Sequence, residues 1–425
     1  MKLQLTVIGA GSTYSPEIIE GLIRRRETLP FTDIVLMDID QRKLEIAAGF
    51  IRRMLAAANL SVNCRTTLEL DRALTGADYV IAQIRVGQLP ARIKDEKIPL
   101  KYGMIGQETT GIGGFFNALR TVPQILHIAK RMEEICPQAW LINFSNPSGI
   151  VAQAVENNSH IRMVGLCNCP VNTLADCKKW LNDDDVSIEY VGLNHLSWVT
   201  RALSHGQDRL PELLGKGAVT TMSNIPDIPF DLEMLQMAGG IPSSYLNYYY
   251  LRNKQLEHLK SAELSRGEEC QKIEDQLLEL YQDPSLTTKP DLLNQRGGAL
   301  YSEAAVSLIE CIHNDWGHTH IVDIKNQGAI PFLRDDDVVE ISGIVHRDGI
   351  QPVPITVTPN EQIITLIQTV KSYERLTVEA ALTGDRLTAL RALMIHPLAG
   401  DFDACKACFD EMLEAHRAYL PQFFD

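Results

Sequence analysis

A strand, a glycine turn and a helix open the chain. The apolar run Leu3-Gln4-Leu5-Thr6-Val7-Ile8 leads into Gly9-Ala10-Gly11-Ser12, and a second strand closes on Ile34-Val35-Leu36-Met37-Asp38. This order of elements is the start of a dinucleotide-binding fold. Gly9 permits the tight turn after the strand. Gly11, with Ser12 beside it, lets backbone N–H groups approach a pyrophosphate, and the helix N-terminus beyond adds positive partial charge. Asp38 can accept from a ribose hydroxyl and disfavours a 2′-phosphate, so the expected cofactor is NAD. Tyr14 stands at the third fingerprint position, where glycine is usual. The match is partial, and its weight comes from its place between strand and helix with an acid closing the next strand.

Strand-like runs recur at 79–84, 140–143 and 163–166, alternating with helical patterns, as expected for a parallel sheet with crossover helices. The fold class is therefore α/β: an N-terminal Rossmann-type parallel sheet, expected over residues 1–165, followed by a mixed α+β domain over 166–425 for substrate and assembly. Ligands of such sheets bind at the strand carboxyl ends. Arg85-Val86-Gly87, Asn146-Pro147 and Cys167-Asn168 fall there. Beyond residue 166 the pattern becomes irregular, with a polar helix from Arg266 to Tyr281, a longer one from Ala299 to His313, and a hairpin turning at Asp348-Gly349.

The chain has 425 residues, 45% of them hydrophobic, enough for a large core. A net charge of −14 and the lack of basic runs interleaved with aromatics exclude nucleic acid as an expected partner. No stretch reaches the length of a membrane span, and no cleavable leader is apparent. Nine scattered cysteines fit a reducing compartment, so a cytoplasmic protein is expected.

The residues that could carry chemistry are ambiguous one at a time. Cys167 and His195 could meet across the site and bind a divalent metal, yet spacing alone leaves open a buried thiol and a structural imidazole. Cys169 should alternate to the opposite strand face. The pair Cys405 and Cys408 has redox or zinc spacing but lies in a helical pattern without a second such pair, which favours core packing. His313, His318 and His320 sit among polar residues that read as a solvated loop. Arg92 and Arg266 could clamp a phosphate or simply face solvent.

Ordered segments along nearly the whole chain carry a stronger signal: Gly9-Ala10-Gly11-Ser12, Arg85-Val86-Gly87 with Ala91-Arg92, Gly106-Gln107-Glu108-Thr109, Asn143-Phe144-Ser145-Asn146-Pro147, Gly165-Leu166-Cys167-Asn168, Gly192-Leu193-Asn194-His195, Ile241-Pro242-Ser243-Ser244-Tyr245-Leu246 and Gln295-Arg296-Gly297-Gly298-Ala299. With these the sequence resembles family 4 glycoside hydrolases, in particular the 6-phospho-β-glucosidase branch. The resemblance implies a lactate/malate dehydrogenase-like fold, NAD, and a divalent metal, usually manganese. It implies that Cys167 and His195 are metal ligands and that Tyr245 is the catalytic base, with Tyr248 as the competing tyrosine. Arg92, Asn146 and Arg266 match substrate contacts, and Glu108 a position that raises the basicity of the tyrosine. Asn168 takes the place where α-acting relatives carry an acidic group, which implies a β-linked substrate.

The implied substrate is a phosphorylated disaccharide of the cellobiose or chitobiose type, and the implied assembly a homodimer or homotetramer. Ordinary glycosidases use two carboxylates. The family instead oxidises C3 of the sugar with NAD, removes the proton at C2, eliminates the C1 oxygen, adds water and returns the hydride. A lactate/malate-type dehydrogenase and a non-enzymatic NAD-sensing module remain as alternative expectations.

Overall fold

The computed structural model describes residues 2–220, 222, 225, 226, 228–296 and 301–424, leaving the side chains of 301–303 aside. Ala299, where the sequence starts the long helix, lies outside these residues; the described helix runs Tyr301–Asn314.

Six parallel strands form the expected sheet: β1 (Gln4–Ile8), β2 (Asp33–Met37), β3 (Asn63–Thr67), β4 (Tyr79–Ala82), β5 (Trp140–Asn143) and β6 (Arg162–Gly165). Their order, β3-β2-β1-β4-β5-β6, is that of a dinucleotide-binding sheet, with its reversal between β1 and β4. β1, β2, β4 and β5 are buried at every residue, because crossover helices cover both faces.

Two further features were not read from the sequence. A hairpin of β7 (Val186–Leu193) and β8 (Leu196–Ser204) starts a smaller sheet, completed by β9 (Gln207–Asp208) and β10 (Ile241–Pro242). Then β11 (Thr319–Lys325), β12 (Val338–His346) and β13 (Gly349–Pro352) add antiparallel to the edge of the large sheet through β6, giving nine strands. The predicted turn near Asp348 is present, joining β12 to β13. His320 lies on β11 and not in a solvated loop, and burial pushes its pKa down to about 4.

The two sheets meet across buried polar groups. Glu340 of β12 accepts from Asn194 Nδ2 at 3.0 Å and from Ser197 Oγ at 3.2 Å, so it grips both sides of the β7–β8 turn. Asp323 of β11 accepts from Ser148 Oγ at 2.6 Å. Lys371 pairs with Glu374 and donates to Gln153 at 3.1 Å. Burial raises Asp323 to about 7 against the pull of the Ser148 hydroxyl, and the Glu374 charge adds to the rise.

A carboxyl whose folded pKa is raised contributes stability at low pH and loses it as pH climbs through the folded value. Wild-type stability should therefore fall between about pH 4 and pH 7 by an amount on the order of a few kcal/mol from this group. Asp323→Asn should flatten that fall. Thermal unfolding of both proteins across this range checks it, and parallel curves would be the contrary result.

Candidate functional site

At the carboxyl ends of β1, β4, β5 and β6 lies a cavity of about 790 Å³. Gly9, Gly11, Ser12, Asp38, Arg92, Glu108, Asn146, Cys167, Asn168, His195 and Tyr245 all line it. Arg266 and Tyr248 do not.

The glycine turn and the acid after β2 form one unit. Gly9 has φ +84°, and a Cβ there would stand 2.7 Å from the Gln83 carbonyl oxygen. Gly11 donates its N–H to Asp38 Oδ2 at 2.8 Å, and a Cβ on it would lie 2.9 Å from that oxygen and 3.0 Å from Lys43 Cβ. Asp38 Oδ1 accepts from the Asp40 N–H at 2.9 Å, which fixes the carboxylate against the turn. Lys43 and Arg296 share Glu274, each at 2.7 Å, and Arg296 stacks over Tyr14 at 4.7 Å. Tyr14 thus fills the third fingerprint position as a platform for a guanidinium. Lys43 and Arg296 line the cavity; Arg296 lies in one of the family-like segments but was given no role there, and nothing in the sequence separates Lys43 from a surface cation.

His195 sits at the tip of the two-residue turn between β7 and β8, with φ +66°. Cys167 follows β6 by two residues. The folding of these two turns against each other brings Cys167 Sγ within 3.5 Å of His195 Nε2. β10 hangs Tyr245 from the same small sheet: Ile241 and Pro242 pair with β8, the Ser243 N–H reaches Ser197 O at 2.9 Å, and the Tyr245 ring stacks on His195 with centroids 3.9 Å apart. Cys169 is in the first turn of the helix Cys169–Leu181, not on a strand face, and directs its N–H at Cys167 Sγ from 3.4 Å.

Burial lowers His195 to about 3, so its ring is neutral. Burial, then the neighbouring Glu340, raises the Cys167 thiol well above its usual range. A neutral imidazole and a thiol this close fit a divalent cation, whose charge draws off the thiol proton. No group of three His, Cys, Asp or Glu side chains placed to hold a metal occurs among the described residues. A cation held by this pair alone would have its remaining positions open to oxygens of a bound molecule. Cys405 and Cys408 are free thiols packed in the core, as the helical pattern implied.

Arg92 and Glu108 belong to one buried charge network. Arg92 Nε bonds Glu96 at 2.7 Å and its Nη1 lies 3.0 Å from Glu108, which also pairs with Arg85. Although burial acts to raise the Glu108 carboxyl, Arg85 and Arg92 hold it below its usual range. Glu96 in turn accepts from the Gly267 N–H at 2.6 Å. One residue before, Arg266 turns to Glu269 and the Gln295 carbonyl, at 2.8 and 2.7 Å. The helix Gln88–Lys101 that carries Arg92 is anchored by buried Asp95, which takes two bonds from Arg120 at 3.0 and 2.6 Å.

A dinucleotide-binding sheet whose strand ends are closed off by the hairpin of a second, smaller sheet defines the class as enzymes of the NAD-dependent dehydrogenase fold. Within it, the chain belongs to the family described as "Family 4 glycosyl hydrolase", whose N-terminal part matches residues 4–183 and whose C-terminal domain matches residues 190–399. A "Probable 6-phospho-beta-glucosidase" of Bacillus subtilis (strain 168) is 43% identical over 436 residues, covering 100% of this chain and 98% of that protein. The 6-phospho-beta glucosidase of Thermotoga maritima, solved with manganese, NAD+ and glucose-6-phosphate, superposes with a TM-score of 0.91 at 35% identity, covering 98% of this chain and 99% of that one. Malate dehydrogenase from Plasmodium falciparum, at 14% identity and a TM-score of 0.58 over 89% of this chain and 98% of that one, shares the fold, as the expected dehydrogenase-like architecture requires.

Gly11→Ala tests the turn. Its methyl must displace Asp38 or Lys43, so NAD affinity should fall about tenfold or more, as expected when backbone can no longer approach the dinucleotide. Titration of NAD against wild type and variant, with thermal midpoints compared, reads this directly; undiminished affinity would be the opposing result.

Proposed function

We infer that this protein is a glycosidase that hydrolyses 6-phospho-β-glucosides, with NAD and Mn2+ as cofactors. The observation that carries the reading is the convergence of Cys167, His195 and Tyr245 beyond the Gly9 turn, a set with no use in a simple dehydrogenase or a sensing module. The Thermotoga maritima enzyme solved with NAD+, manganese and glucose-6-phosphate supports it.

In this reading Gly9, Gly11, Ser12 and Asp38 hold NAD, and Cys167 and His195 hold the metal. When bound, NAD takes and returns hydride at C3 of the sugar, and the metal polarises the oxygens on C2 and C3. Tyr245, set by its stack on His195, removes the C2 proton. Glu108, fixed between Arg85 and Arg92, keeps negative charge close to that tyrosine. Asn168, beside Cys167, offers a neutral amide where an acid would serve α-linked substrates. Arg92 and Arg266 bind the 6-phosphate, Arg266 by exchanging Glu269 for the substrate, and Asn146 and Asn168 are further substrate contacts. The substrate is a phosphorylated disaccharide of the cellobiose or chitobiose type.

A cytoplasmic location is supported by the free cysteines, and by a substrate that is phosphorylated. No helix among the described residues is long and apolar enough to cross a membrane. We assign the division into residues 1–165 for NAD and 166–425 for substrate, metal and assembly. The assembly is a homodimer or homotetramer, for which exposed Leu387 and Phe402 are contact candidates.

Two outcomes are expected. Cys167→Ser should bind Mn2+ more weakly and lose activity in parallel, while Cys169→Ser stays active; full turnover by Cys167→Ser after chelation would remove the metal assignment. In heavy water, early turnover should place deuterium at C2 of the released sugar phosphate, read by NMR beside a control of free glucose 6-phosphate. Tyr245→Phe should abolish both hydrolysis and this exchange while NAD binding persists. Product with only protium at C2 would exclude proton abstraction altogether.

A further inference from the structure

His195 also walls a second and much smaller cavity, with about 20 Å³ of space for the centre of a water molecule. Its wall includes Asn194, His195, Gly149, Glu374, Thr110 and Tyr249. Thr110 Oγ1 and Tyr249 OH are bonded to each other at 2.8 Å. By contrast, His195 Nδ1 and Asn194 Oδ1 are buried and have no hydrogen-bond partner among the described residues. The Asn194 amide is oriented by Glu340, which takes its Nδ2 at 3.0 Å and so leaves Oδ1 to the other side. The cavity stays open because residue 149 is glycine: a Cβ there would lie 3.0 Å from Asn194 Cβ and 3.6 Å from Glu374 Oε1.

A buried donor or acceptor left unpaired costs about 1–3 kcal/mol. A polar cavity of roughly 10–15 Å³ or more is enough for one water, provided two or more polar groups receive it. We propose that this cavity holds one structural water that accepts from His195 Nδ1–H and donates to Asn194 Oδ1 and the Glu374 carboxylate, making Asn194, Glu374 and Gly149 positioning residues for the imidazole. With its proton held at Nδ1, the ring presents the lone pair of Nε2 toward Cys167. Metal-binding histidines are oriented in this way by a partner on the far nitrogen, and loss of such a partner typically lowers metal affinity by about 10- to 100-fold. The inference rests on the reading of Cys167 and His195 as the metal pair.

High-resolution crystallography of the full-length enzyme is the direct test. Density for one water within hydrogen-bond distance of both His195 Nδ1 and Asn194 Oδ1 is the expected result; a dry cavity, or Nδ1 bonded elsewhere, overturns the proposal. Its role is read by calorimetric titration of Mn2+ into chelator-treated protein. Gly149→Ala should weaken Mn2+ binding about tenfold or more by expelling the water. Gly149→Ser places the same Cβ against Asn194 but offers a hydroxyl in place of the water, and should recover most of the lost affinity. Equal losses in the two variants, or none, overturn the positioning role. NAD affinity should stay unchanged in both; a fall would overturn a local effect on His195. Failure of the wild type to bind Mn2+ would remove the metal reading and this inference with it, whereas a dry cavity in a protein that binds Mn2+ overturns this inference alone.

Discussion

Everything in the site depends on one hairpin tip being pressed against the end of a strand from another sheet. Cys167 belongs to the large sheet and His195 to the small one, and neither could recognise a cation alone. The force that brings them together is not their own contact but the grip of Glu340 on Asn194 and Ser197, either side of His195. A buried carboxyl with two hydrogen bonds is a directional fastening, whereas apolar contact between the sheets would tolerate sliding. The left-handed backbone at His195 then fixes the angle at which the ring leaves the turn; histidine is among the residues that accept that conformation more readily than most. Tyr245 takes its place from the same small sheet as His195, through the pairing of Ile241 and Pro242 with β8.

The charge arrangement around Arg92 follows a similar economy of parts. Arg85 and Arg92 enclose Glu108, and Glu96 joins Arg92 to the start of the helix Arg266–Leu280. A guanidinium already oriented by carboxylates loses little freedom when an anion arrives. If the substrate phosphate binds beside Glu108, as proposed, it is tolerated there only while both arginines stay charged, which guanidinium chemistry secures at any physiological pH.

The glycine turn and the acid that braces it were legible in the sequence because their determinants are local. Gly9 and Gly11 lie in one turn, and Asp38 closes the next strand, where a period-two pattern locates it. The Cys167–His195 contact was only one of two readings, since a separation of 28 in sequence says nothing about a hairpin folding back over β6. Family resemblance supplied what spacing could not. Glu340 left no signal at all: its partner Asn194 is 146 residues away, and an isolated acid within an apolar run looks like a solvent-facing strand position. The hairpin turning at Asp348 was legible, but the addition of β11 to β13 to the large sheet was not, because an antiparallel addition to β6 is decided by an edge that exists only after the first sheet forms. Arg266 marks a different boundary. Its place at the helix start was readable, but the direction of its side chain depends on Glu269 and Gln295 competing for it.

A pair of ligands, rather than a closed set, makes the cation and the sugar each other's partners. If substrate oxygens complete the coordination of a metal held by Cys167 and His195, binding of either strengthens the other by the same factor, as linkage requires. Such a centre would be loaded by use: sparsely metallated when sugar phosphate is scarce, filled when it accumulates. The supply of metal and the supply of fuel would then be sensed together at one cysteine and one histidine, with no regulatory site beyond the catalytic one.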